Sequence, residues 1–157
     1  MPVIKLNTEI DAPIERVFDL SRSIDLHTRT ASQTNERAVA GRTEGLIELG
    51  ESVTWTAVHF GFRLSHTSLI TEYDRPVHFK DSMTQGMFSR FDHDHEFEEM
   101  DGVTRMMDRI DFESPFGILG NIFDTLFLTR YLEGFLNRRN SMIKEFAESH
   151  KWKRFLE

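Results

Sequence analysis

The sequence predicts an α+β chain: one strand, two short helices, about six consecutive strands and one long helix. Three observations carry that prediction. Apolar and polar residues alternate at the start. Glycine, proline and Asp-Gly breaks recur across residues 36–113. After Ser114-Pro115-Phe116-Gly117 the apolar period turns helical.

At the start, Ile4, Leu6 and Ile10 share one face of a strand, with Lys5, Asn7 and Glu9 on the other. Asp11-Ala12-Pro13 then reads as a helix start, a capping carboxylate followed by a first-turn proline, and Ile14, Val17, Phe18 and Leu20 follow at helical spacing. A second short helix is expected around 23–27. Gly41, Gly45, Gly50, Gly61, Pro76 and Gly86 punctuate the strand region. Asp101-Gly102 is its strongest hairpin signal, joining 89–99 to 104–113. Breaks about 10–15 residues apart suit an antiparallel meander rather than alternating strand–helix units. Leu119, Phe123, Leu126, Leu128, Leu132, Phe135, Leu136, Ile143 and Phe146 form an apolar stripe, with Arg138, Arg139, Lys144 and Glu145 largely off it. A helix over 118–148 would be about 45 Å long, enough to cross a sheet. The Gly120-Asn121 pair is expected to interrupt its first turns.

Composition excludes several classes. The 157 residues suit one domain, 1–157, and the net charge of −7 argues against a general nucleic-acid-binding surface. With no cysteine, disulfides, thiolate nucleophiles and Cys-based metal sites are ruled out. The start lacks a signal-peptide core, and the greasiest stretch, 116–135, contains Asp124, Arg130 and Glu133, so no membrane span is expected and a cytoplasmic location is.

The element order resembles that of the SRPBCC superfamily, the START-like or helix-grip fold. So do Val53-Thr-Trp-Thr-Ala-Val-His-Phe-Gly61, Phe79-Lys-Asp81 with Gly86-Met-Phe88, His93-Asp-His95-Glu-Phe97, and Asp108 with Ser114-Pro-Phe-Gly-Ile-Leu-Gly120. The likeness covers nearly the whole chain and is similar in detail to a bacterial subgroup of ligand-binding members. It implies a curved antiparallel sheet of about six to seven strands gripping the C-terminal helix around an internal cavity. Members include lipid carriers, hormone receptors, polyketide cyclases and chaperone regulators, so the fold alone does not give function.

Strand parity locates the cavity residues. In 89–99, Phe91, His93, His95 and Phe97 oppose a wholly charged set, Arg90, Asp92, Asp94, Glu96 and Glu98, so the histidines face inward. In 104–113 the same logic leaves Met106, Asp108, Ile110 and Phe112 inside. A two-residue Asp101-Gly102 turn pairs Met100 with Val103, which sets His95 opposite Asp108 and His93 opposite Ile110. A three-residue connection at Gly86-Met87-Phe88 sets Asp81 opposite His93 and puts Phe79, Met83 and Gln85 on its face. With Gly61-Phe62 as the earlier turn, Val53, Trp55, Ala57 and His59 share a face with Leu64, His66, Ser68 and Ile70, and that face is expected inward.

The expected ligand-binding set is therefore His93, His95, Asp81, Asp108, Trp55, His59, Gln85, Phe91 and Met106, with His66 beside it. Buried imidazoles and carboxylates need partners. The cluster can be a satisfied polar network, a grip on the polar end of an apolar ligand, or an acid–base pair, His95 with Asp108, for a cofactor-independent cyclase, dehydratase or isomerase. His93-x-His95 with Asp81 or Asp108 could also make a metal triad, but a lone His-x-His is a weak signal, and neither metal nor cofactor is expected. A small hydrophobic ligand is the expected partner. A regulatory protein-interaction module is the third class, which an apolar groove open along the long helix would favour, and a homodimer stays open.

Overall fold

The computed structural model describes residues 2–157; Met1, where the expected domain begins, lies outside them. Seven strands form one antiparallel sheet: β1 (Val3–Ile10), β2 (Arg37–Gly41), β3 (Ser52–His59), β4 (Phe62–Asp74), β5 (His78–Gln85), β6 (Arg90–Met100) and β7 (Val103–Glu113). Their spatial order is β1-β7-β6-β5-β4-β3-β2, so β2 to β7 run as a meander and β1 closes the far side against β7. Helices α1 (Ile14–Ser21) and α2 (Ile24–Thr30) follow β1. Helices α3 (Gly117–Phe123) and α4 (Thr129–Glu148) run on from each other through a π-helical turn, Asp124–Leu128, and α5 (Lys153–Leu156) ends the chain. The α+β sheet-and-long-helix expectation therefore holds.

The N-terminus of α1 departs from it. Asp11 does not cap the helix; Pro13 occupies the cap position, and the Ile14 N–H donates to Glu99 Oε2 at 2.7 Å. A carboxylate does sit at the positive end of the helix, but it comes from β6. At α2 the capping is local, with Ser23 Oγ accepting from the Leu26 N–H at 3.2 Å.

The hairpin β6–β7 has the expected register, with Met100 against Val103, His95 against Asp108 and His93 against Ile110. Asp101 and Gly102 both adopt positive φ, 53° and 81°, as a tight turn matching strand twist requires. The β3–β4 turn is displaced. Phe60 and Gly61, not Gly61 and Phe62, make it, with φ of 52° and 80°. Trp55 therefore pairs with His66 rather than Ser68. Because the shift moves the register by two, every side chain keeps its expected face.

Two bulges bend the β4–β5 ladder. Thr71 is extra on β4 and Thr84 is extra on β5, where Thr67 pairs with Gln85 and Ser68 with Met83.

One core cluster joins α1, α2 and the C-terminal part of α4 to the sheet through Phe18, Leu20, Leu26, Phe97, Ile143 and Phe146; a second holds Ile4, Ile110, Phe112, Leu128 and Leu136. The long helix spans 117–148, and its irregularity lies at the π turn rather than at Gly120-Asn121. Gly120 fits closely instead, since a Cβ there would come within 3.1 Å of Ser114 Cβ. The π turn buries Asp124, whose carboxylate accepts from the Ser114 N–H at 3.0 Å and from the Ser114 hydroxyl. Leu128, Leu136, Ile143 and Phe146 of the expected stripe are buried. Leu119, Phe123 and Leu126 are not: with Ile118, Ile122 and Phe127 they form an exposed apolar row. No helix among the described residues is long and apolar enough to cross a membrane.

Candidate functional site

A cavity of about 220 Å³ lies between the inner face of the sheet and the helices. Its wall includes Val53, Trp55, Ala57 and His59 of β3 and Leu64, His66, Ser68 and Ile70 of β4. Phe79 and Asp81 of β5, Phe91, His93 and His95 of β6, and Leu132, Phe135, Leu136 and Arg139 of α4 complete much of it. Alternation along each strand puts these residues on one face, so the inward assignment of the β3–β4 face agrees with the structure.

The polar centre is a crossed pair of His–Asp bonds. Asp108 sits opposite His95 and Asp81 opposite His93 on the backbone, yet the side chains bond diagonally. His93 Nε2 meets Asp108 Oδ1 at 2.7 Å, and His95 Nε2 meets Asp81 Oδ2 at 2.9 Å. His95 Nδ1 lies 3.3 Å from Asp108 Oδ1, without hydrogen-bond alignment. Diagonal neighbours on a sheet are within reach of long side chains, and ring stacking selects among the arrangements. His93 and His95 stack with centroids 3.7 Å apart, and His95 stacks on Phe79 at 4.1 Å and 13°. Asp108 completes its shell with Asn140 Nδ2, which donates to Oδ2 at 2.7 Å.

The charges follow from these contacts. Burial alone would raise both aspartates, but bonds and charges from the imidazoles outweigh it and hold both carboxyl groups well below the usual carboxylate range. Burial lowers the His93 pKa, aided by the neighbouring His95. Burial acts the same way on His95, but its two aspartate partners override it and raise the pKa. Both aspartates are thus held as carboxylates, and of the two imidazoles His95 is the more readily protonated.

Around this centre, His66 Nε2 bonds Ser68 Oγ at 3.0 Å, and His59 Nδ1 bonds the Tyr131 hydroxyl at 2.5 Å. Burial lowers both histidine pKa values. Trp55 stacks on His27 at 4.2 Å, and His27 Nε2 meets Glu36 Oε1 at 2.5 Å.

Of the expected set, Trp55, His59, Asp81, Phe91, His93 and His95 line the cavity. Asp108 stands behind the imidazoles and reaches the cavity only through them. Met106 is buried behind the lining, with the Ser21 hydroxyl 3.4 Å from its sulfur. Gln85 is exposed: the Thr84 bulge rotates it onto the face of Thr67, away from Asp81.

Sequence reading missed His27, Glu36, Tyr131, Arg139 and Asn140. Arg139, placed off the apolar stripe, is only 6% exposed and walls the cavity. Helical spacing held the signal, since 139 and 140 follow Leu132 by two turns and Leu136 by one on one face. His27 and Glu36 carried none, because no period links a two-turn helix to the loop before β2.

Asp81, His93 and His95 also bring one potential metal donor each within 4.8 Å of the others. They could hold a divalent cation, with Asp108 orienting His93 from behind. The same donors already satisfy one another.

No family profile matches the chain, and no curated protein is significantly similar to it. Solved structures are. A Thermus thermophilus protein superposes with a TM-score of 0.70 at 19% identity, over 90% of this chain and 97% of its own. A START superfamily protein from Mycobacterium smegmatis gives a TM-score of 0.70 at 9% identity, over 93% and 97%. The chain has the START-like helix-grip fold. Ginseng major latex-like protein 151 from Panax ginseng shares it, with a TM-score of 0.69 at 12% identity over 94% and 98%. In this START-like chain the His–Asp centre is read from its own residues.

Proposed function

We propose that the protein binds a small, largely hydrophobic molecule in the cavity, with a polar group of that molecule placed against Asp81, His93 and His95. The observation that carries this reading is the cavity itself: a mainly apolar, aromatic-rich surface into which a few buried polar groups converge, the usual constitution of a small-molecule site. The fold shared with a START superfamily protein supports it as analogy only. Native mass spectrometry of freshly purified protein should show an added mass that denaturation releases as an organic molecule, and no stoichiometric zinc, iron or manganese. One metal per chain, lost on His93→Ala, would overturn the metal-free reading. An empty protein that takes up no apolar molecule would overturn the binding one.

A second reading is favoured by the placement of His95, cavity-facing, bonded to Asp81 and beside Asp108: proton transfer to a bound substrate in a cyclase, dehydratase or isomerase reaction. His95→Gln should then leave affinity for the bound molecule within a few fold and reduce its conversion by about 10²–10⁴-fold. Chemically unchanged ligand recovered from wild type after prolonged incubation would leave binding as the sole function.

A further inference from the structure

Of the two arginines among the described residues of the cavity wall, Arg139 is the one whose needs the protein does not meet. Its neighbour in the same wall, Arg22, shows what a satisfied buried arginine looks like here. Arg22 Nε donates to Asp19 Oδ1 at 2.9 Å and Nη1 to the Ile47 carbonyl at 3.1 Å. Arg139 has a single hydrogen bond, from Nη2 to the Ser21 carbonyl at 3.0 Å. Its Nε is buried without a partner, and among the described residues no carboxylate lies within 4.0 Å of the guanidinium. Glu36, an acidic residue of the same wall, is bonded by His27 at 2.5 Å and feels the Arg139 charge only from beyond ion-pair distance.

A guanidinium removed from water with no carboxylate in contact is costly, and its five donors in a planar fork match a carboxylate. The His–Asp centre cannot play this part. It holds two carboxylates against two imidazoles and commits both Nε2 atoms to them, so its carboxylates oppose a second anion even though His95 Nδ1 has no partner.

We propose that the cavity's ligand is an organic anion, an apolar chain or ring ending in a carboxylate, and that Arg139 holds the carboxylate. The inference rests on the cavity-binding reading above and changes one part of it: the apolar body lies along Trp55, Phe79, Phe91 and Leu136, and an anionic head is met by Arg139 on α4, leaving only an uncharged polar group for the His–Asp centre.

The test uses three probes with one apolar body and different heads, octanoate, 1-octanol and octylammonium, titrated calorimetrically into wild type, Arg139→Gln and Arg139→Lys at pH 7. Wild type should bind octanoate roughly 10- to 100-fold more tightly than octanol, the range of a charge-assisted hydrogen bond in a desolvated site. Octylammonium should bind most weakly. Arg139→Gln should erase the octanoate advantage while leaving octanol within about threefold, and Arg139→Lys should restore part of it. Octanol or octylammonium binding as tightly as octanoate would overturn the inference while the cavity reading stands. Equal weakening of all three probes by Arg139→Gln would make Arg139 structural and likewise overturn it. Binding of none of them to wild type would sink both readings. Should Arg139→Gln fail to fold, the ranking of the three probes on wild type decides alone.

Discussion

Leucine in place of Asp108 should lower the free energy of unfolding by about 3–5 kcal/mol at neutral pH, the cost of removing one partner from a buried charged network. The carboxylate is 2% exposed and receives both His93 Nε2 and Asn140 Nδ2 at 2.7 Å. A leucine, branched alike but bulkier, leaves those two donors facing hydrocarbon and takes from His95 one of the two charges that raise its pKa. Urea titration of Asp108→Leu beside wild type measures the loss. A difference under about 1 kcal/mol would mean that the network is not a determinant of stability. The same substitution should change the acid limb. Asp81 and Asp108 have folded-state pKa values below their unfolded ones, so their stabilisation is complete above about pH 4 and is lost as the pH falls below that. The raised pKa of His95 contributes stability that is full below about pH 6.5 and lost as the pH rises through the folded value, while the lowered pKa of His93 acts in the opposite sense. Wild type should therefore lose stability more steeply below pH 4 than Asp108→Leu. Parallel curves would contradict the assignment of a charged carboxylate at 108.

Phe18→Ala should cost about 3–5 kcal/mol, the range for removing a fully buried phenyl ring. Phe18 is 0% exposed and meets Tyr73, Phe79 and Phe97 edge-on, at centroid distances of 5.5, 5.3 and 5.2 Å. It is the knob by which α1 locks onto the sheet. The effect should reach the site, because Phe79, which Phe18 braces, is the ring on which His95 stacks. Thermal unfolding of Phe18→Ala against Phe62→Ala, whose phenyl is 71% exposed, provides the comparison: a large drop for the first and almost none for the second. Equal drops would refute the assignment of Phe18 to the core.

Much of the site is encoded in local periodicity. Alternation along β6 and β7 put every charged side chain of one parity outside and left His93, His95 and Asp108 inside. The Asp101-Gly102 turn then set a register that places Asp108 beside the histidines. The displaced turn at Phe60-Gly61 did no harm to this kind of reasoning, since a shift of two preserves faces. Only the tertiary structure decided which aspartate each imidazole takes, because backbone register fixes Cβ positions while stacking of Phe79, His95 and His93 fixes ring planes and so turns the bonds diagonal. It alone decided that Thr84 bulges and carries Gln85 outward, that Leu119, Phe123 and Leu126 lie on an exposed row although they continue an apolar stripe, and that Arg139 and Asn140 turn inward. Each of these depends on how two elements distant in sequence approach each other, which the period of neither element contains.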